Sequence, residues 1–313
     1  MFALRGIAVS FTAFVLLYCC LSALVAVGWR WLKLFRATGR RLAALLFGLR
    51  VLPFAAAMVI TGAFVVPSFQ LLEPRSVDEG IGALPIALGV CGLLLVGSGI
   101  FRVIAVQTRT FRAVARWLTG AHPLYAGSHI FAFRSRREAP PLTLVGVCRP
   151  RVLISDSAVA QLSREELHIA LKHEVAHMRS HDNFKKLVFR FCPFPGMGRL
   201  ESAWSQSAEL AADDAAVSNL KEAVDLAAAL VKLSRLLPVE ASPICTVGFV
   251  TGSISARVAR LLAWNGSEAG KAQTMRMHLW YAIPPVLVAL LCVFATYGPA
   301  LAVAHEVTEW LVR

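Results

Sequence analysis

A chain of 313 residues that is 57% hydrophobic and only 16% charged is too apolar for an ordinary soluble enzyme. Its net charge of +13 would suit a nucleic-acid binder, yet the basic residues cluster beside long apolar runs, where anionic lipid is the natural partner. No zinc-finger spacing or aromatic-interleaved basic patch accompanies them, so direct nucleic-acid binding is not expected. The seven cysteines include no CxxC pair, which argues against both disulfides and a thiolate metal site.

Four charge-free stretches are long enough to cross the hydrocarbon core of a bilayer: residues 7–29, 51–72, 81–101 and 279–304. The first is too long for a signal-peptide core and ends in the interfacial anchor Trp29, Arg30 and Trp31, so it reads as a retained span. Arg30, Lys33, Arg36, Arg40, Arg41 and Arg50 follow it without an acidic residue. The next loop carries Glu73, Asp78 and Glu79 against Arg75 alone. The positive-inside rule then puts the first loop in the cytoplasm, the second outside, and both chain ends outside. Arg102, Arg109, Arg112 and Arg116 follow the third span, and Arg257, Arg260, Lys271 and Arg276 precede the fourth. Residues 102–278 therefore form a cytoplasmic domain, 279–304 the fourth span and 305–313 a short external tail.

The inner domain opens with a basic amphipathic stretch over 109–118 that could lie along the membrane surface. Strand-like runs follow at 129–133, 142–147 and 152–154, separated by segments rich in proline and arginine. Such a sheet either packs a neighbouring helix or offers its edge to an extended segment, and composition does not separate the two. A capping box, Ser163 to Glu166, starts a helix over 164–180. The apolar, aromatic run 187–194 suits either the core or the bilayer, and further helices are expected at 201–220, 223–236 and 254–263.

The helix over 164–180 carries His173-Glu174-Val175-Ala176-His177. Two histidines four apart share one helical face and can grip one metal ion, while Glu174 lies beside it as a general base. HExxH arises by chance in roughly one 300-residue chain in a hundred, so its place on a capped helix is what gives it weight. A third ligand is needed. His181 falls roughly 6 Å too far along the axis, whereas Glu209 can complete a His₂Glu site and leave a position for water. Asp213, one turn later, can accept the free N–H of a ligand histidine, and Asp182 is a second candidate for that role. Asp214 and Glu201 read as surface carboxylates. His122, Tyr125 and His129 are available to steady an oxyanion, and spacing selects none of them.

With these motifs placed, the chain resembles the bacterial membrane-bound zinc metallopeptidases typified by the β-lactam sensor-transducers that cleave a repressor. The resemblance rests on residues 145–155, His173-Glu-Val-Ala-His177 with Asp182, Glu209-Leu-Ala-Ala-Asp213, and Ala256-Arg-Val-Ala-Arg-Leu-Leu262. It implies an α-helical membrane protein with four transmembrane helices and a cytoplasmic α+β gluzincin-type domain. It also implies Zn²⁺ held by His173, His177 and Glu209, with Glu174 as the catalytic base. The sequence stops soon after the fourth span, where sensor-transducers continue into a penicillin-binding domain, so a separate sensor subunit is expected. The expected partners are a protein substrate of the repressor type and membrane lipid. The alternatives are a membrane quality-control protease, or a signalling scaffold in which the metal domain acts as a switch.

Overall fold

The computed structural model describes residues 2–34, 39–74, 82–125, 131–135, 140–147, 149–236, 246–248, 254–264 and 296–310. Its first third is a set of long helices. α1 (Phe2–Gly28) ends in a 3₁₀ turn, Trp29–Leu34; α2 (Gly39–Ile60) passes through a π-helical turn, Thr61–Val65, into α3 (Val66–Leu72); and α4 spans Ala83–Leu118. Three helical stretches here are long and apolar enough to cross a membrane. A helix satisfies its own backbone polar groups, the condition a lipid environment imposes.

Two of the expected span limits are extended. The helix expected from residue 51 already begins at Gly39, and α4 runs through 109–118 as one rod. No glycine or proline lies between Gly99 and Leu118 to end it, and the break comes only at Gly120, whose φ of +76° suits glycine. The basic stretch is thus the last turns of α4 and not a separate surface helix. Residues 279–295 of the expected fourth span lie outside the described residues, and 296–310 are helical.

Packing between the long helices follows from small residues and from one missing N–H. A Cβ on Gly92 would stand 2.9 Å from Val15 and 3.0 Å from the Phe11 carbonyl, so α4 approaches α1 closely only through glycine. Pro67 has no N–H to give to the carbonyl of Ala63, four residues earlier. The Tyr297 hydroxyl donates to that oxygen instead, at 2.8 Å, and docks the helix over 296–310 against the π turn.

The remaining chain forms a sheet with helices on it. Strands β1 (His122–Tyr125), β2 (Phe131–Ser135), β3 (Leu142–Val145), β4 (Arg151–Ser155) and β5 (Thr246–Gly248) lie in the order β1-β2-β4-β3-β5. All neighbours are antiparallel except β2 and β4. The helices are α5 (Asp156–Gln161), α6 (Arg164–Arg179), α7 (Asp182–Phe191), α8 (Gly198–Ala216), α9 (Leu220–Ser234) and α10 (Ile254–Leu262). Leu142, Leu144, Val152 and Ile154 of the sheet share one core with Ile169 and Leu171 of α6, Leu226 and Leu230 of α9 and Leu261 of α10. That core clamps α6 from both sides.

A second contact joins this domain to the long helices. The link between α7 and α8 sits among α1, α2 and α4: the Tyr18 hydroxyl donates to the Pro193 carbonyl at 3.0 Å, and Phe191 meets Phe54 edge-on at 5.3 Å. Any Cβ on Gly99 would overlap the Phe191 carbonyl. The apolar run 187–194 is therefore packed against the apolar helices. Arg50, only 2% exposed, donates to the Cys192 carbonyl at 2.6 Å and to Glu201 at 2.9 Å, so a guanidinium covers the end of α7 where carbonyls lack helical partners. Glu201, expected as a surface carboxylate, keeps its side chain 37% exposed while it forms half of this pair.

Candidate metal centre

α6 begins where the sequence says it should. Ser163 accepts from the Glu166 N–H while the Glu166 side chain accepts from the Ser163 N–H, so two orphan donors are satisfied at once. One helical turn then sets His173 against His177 with Glu174 between them, and all three are 0% exposed. The chain reverses after α6 through His181, whose φ of +55° is a left-handed conformation unusual for a residue other than glycine. That reversal brings Asp182, in the first turn of α7, back onto His177: its Oδ2 lies 2.7 Å from Nδ1. Asn183 pins the same turn to the sheet by donating to the carbonyls of Leu144 and Gly146. His181 itself is exposed.

α8 crosses α6 and presents Glu209 and Asp213 on one face. Glu209 is 2% exposed, with Oε2 3.5 Å from His173 Nε2 and Oε1 3.7 Å from His177 Nε2. Asp213 Oδ1 lies 3.0 Å from His173 Nδ1. Each histidine thus turns Nδ1 towards an aspartate and Nε2 towards the other histidine, the two Nε2 atoms being 3.1 Å apart. His177 Nδ1 is hydrogen-bonded to Asp182 and His173 Nδ1 lies beside Asp213, and a neutral imidazole protonated on Nδ1 carries a bare lone pair on Nε2. Two such lone pairs and a carboxylate converge on one point, which calls for a cation.

Charge leads to the same requirement. Glu174, Glu209, Asp182 and Asp213 are matched by Arg257, which contacts Glu209 and Asp213, and by Lys185, 2.9 Å from Asp182. With both histidines neutral, as metal ligands must be, four carboxylates against two cationic groups leave a deficit that a divalent ion makes good. Both Glu174 oxygens are buried without a hydrogen-bond partner among the described residues, an expensive state for a group with no further use. Burial pushes the Glu174 carboxyl up to about 6, against the pull of both histidines. Burial also disfavours charge on His177, but Glu209 and the bond to Asp182 prevail and raise it to about 10. Burial works against ionisation of Glu209 too, yet the two histidines and Arg257 hold it well below the usual carboxylate range. The residues present therefore fit a metal: His173, His177 and Glu209 place ligand atoms within 4.8 Å of one another, and two nitrogens with one oxygen suit zinc.

Arg257 joins the centre without having been expected there. It is 3% exposed and forks onto Asp213 through Nε and Nη2 at 2.8 and 2.6 Å, while Nη1 reaches Glu209 at 3.0 Å. Its partners precede it by more than forty residues in sequence, and its one local mark is its place in the motif over 256–262. Asp214, expected on the surface, pairs with Arg260 one turn along α10. His122 and Tyr125 lie on β1, separated from β3 by β2 and β4, and His129 is outside the described residues. Glu73, His305 and Glu309 also come together, although Arg5 already neutralises Glu73 at 3.0 Å.

A buried HExxH helix with a glutamate supplied by a second helix defines the class: a metallopeptidase-type centre attached to apolar helices. Residues 138–261 match the family described as BlaR1 peptidase M56. The matched segment contains every residue of the centre from His173 to Arg257, and the resemblance drawn from the motifs agrees with it. No curated protein matches the chain closely enough to count as a relative.

Proposed function

We propose that the protein is a zinc-dependent endopeptidase that cleaves a protein substrate at the cytoplasmic face of a bacterial inner membrane. In this reading the domain is of gluzincin type, residues 279–304 form a fourth span, and the substrate is of the transcriptional-repressor kind. The observation that carries the reading is Glu174, fully buried and without a hydrogen-bond partner among the described residues, beside three convergent ligand atoms.

His173, His177 and Glu209 would hold the metal, which supplies Lewis acidity towards a water and a peptide carbonyl. Glu174 takes the proton from the water on a carboxylate oxygen and hands it to the leaving amine. A carboxyl raised to about 6 by burial is still ionised at neutral pH, so it can accept, and it is a strong enough acid to donate afterwards. Asp182 and Asp213 fix the ring orientation of the two histidines, which keeps each Nε2 directed inward. The sheet supports peptide binding: β5 is the edge strand that packs beside α7, and an extended substrate can add to such an edge through main-chain hydrogen bonds.

A scaffold that used the metal only as a structural switch would need no unpaired acid at this position. Glu174→Gln separates the two readings. The variant should keep about one metal ion per chain and lose roughly 10²- to 10⁴-fold in peptidase rate, and it should trap its substrate for identification by mass spectrometry. A Glu174→Gln protein that cleaves at the wild-type rate would refute the assignment.

A further inference from the structure

A cleft of about 590 Å³ opens between the start of α2, the α6–α7 turn and the middle of α8. Arg40, Arg41, Arg179 and Lys185 line it over a floor of small residues that includes Ala208 and Ala211. A second hollow of about 310 Å³ adjoins it and shares Arg40, Arg179, Ser180 and Ala211 in its lining. Asp182 is the acidic residue in the lining, and its oxygens already accept from His177 and Lys185. Arg40, Arg41 and Arg179 have no ion-pair partner among the described residues. Arginines clustered along the lining of a cavity suit a phosphate, which guanidinium groups can grip by paired hydrogen bonds.

The position of the cleft along the long helices indicates where that phosphate comes from. At 1.5 Å per residue, roughly 36 Å separate Arg5, paired to Glu73 at one end of α1, from Trp29 at the other. A hydrocarbon core is about 30 Å thick, so Trp29 falls at its far boundary. Trp29 packs on Ala43 and Leu46 of α2, and Arg40 and Arg41 lie a turn further on, at headgroup depth. Leu45, also in the lining, is 54% exposed and gives the cleft an apolar lip on which an acyl chain can lie.

We infer that this cleft binds the phosphate headgroup of an anionic phospholipid. The inference rests on the membrane reading above but not on the peptidase assignment. The cleft abuts the metal centre through Asp182, so the bound headgroup would stand beside the aspartate that orients His177.

Native mass spectrometry of the full chain in detergent, with phosphatidylglycerol or phosphatidylcholine added, tests it. The first phosphatidylglycerol should bind at least tenfold tighter than phosphatidylcholine. Arg40→Gln/Arg41→Gln/Arg179→Gln should abolish that preference. Arg102→Gln/Arg109→Gln/Arg112→Gln, which removes the same charge from exposed positions on α4, should keep it. Unchanged helical content and metal content show that the first variant is folded; if it is not, Arg41→Gln and Arg179→Gln singly should each weaken binding. Equal retention of phosphatidylglycerol by both triple variants would overturn the inference. So would displacement of the lipid by inorganic phosphate or a glutamate hexapeptide at the lipid's own concentration, since either would make the site one for a free anion or an acidic protein segment. Reporter fusions within 102–278 test the orientation separately, so failure of the topology and failure of the lipid site can be told apart.

Discussion

Replacing Arg257 by methionine tests whether the metal centre is held together by charge. The guanidinium is 3% exposed and contacts two carboxylates that are themselves 1–2% exposed, so methionine fills the volume but leaves Glu209 and Asp213 short of a cation. Breaking one side of a buried ion pair costs about 3–5 kcal/mol. For a domain of this size that corresponds to a fall in melting temperature of roughly 6–20 °C. The loss should be largest in chelator-treated protein. With metal restored, the ion takes over part of the compensation at Glu209, and the difference between variant and wild type should shrink. Arg257→Lys keeps the charge but loses the fork onto Asp213, and should fall between the two. The assay is thermal unfolding in detergent, with and without metal, followed by circular dichroism. A metal-free Arg257→Met protein that melts within about 2 °C of wild type would show that Arg257 is not what balances these carboxylates.

Further outcomes follow from the same geometry. Asp182→Asn and Asp213→Asn should each weaken metal binding about 10- to 100-fold with the three ligands intact, measured by competition with a chelating dye, because each removes the acceptor that orients one imidazole. The His177 pKa of about 10 lies above the ordinary 6.5, so in metal-free protein its stabilising contribution is complete below pH 6.5 and is lost as pH rises towards 10. The gain in melting temperature on adding metal should therefore grow across that window, and metal added at pH 7 to weakly buffered protein should release at least one proton per ion; a pH-independent gain would contradict this. Arg50→Met removes a charged donor from the Cys192 carbonyl and from Glu201, and should cost about 2–3 kcal/mol. It should also raise proteolytic cleavage near Pro193, because Arg50 holds that link among α1, α2 and α4.

What could be read from the sequence was what repeats at short range. His173 and His177 share a face because four residues make about one helical turn, and Glu209 with Asp213 repeat the same spacing on a second helix. The capping box at Ser163 fixed the start of α6, and apolar length alone marked the long helices. The strands at 142–145 and 151–155 fell where proline and arginine punctuated apolar runs. Features that depend on distant residues left no local mark. Nothing in the neighbourhood of Arg50 indicates that the carbonyl of Cys192 lies 2.6 Å away, and nothing near Arg257 points to Asp213.

These long-range contacts share a logic that the short motifs lack. α7 is ten residues long, about 15 Å of rigid helix. At its first residue Asp182 holds His177, and at its last turn Arg50 of α2 takes up the Cys192 carbonyl. α8 starts beside the same arginine through Glu201 and, about two and three turns later, delivers Glu209 and Asp213 to the histidines. The third ligand and both aspartates are thus brought to α6 by two helices whose near ends are fixed to the apolar helices by one buried cation. HExxH by itself sets only the two histidines and the base; the depth and angle at which Glu209 meets them depend on where α2 and α4 hold the α7–α8 link.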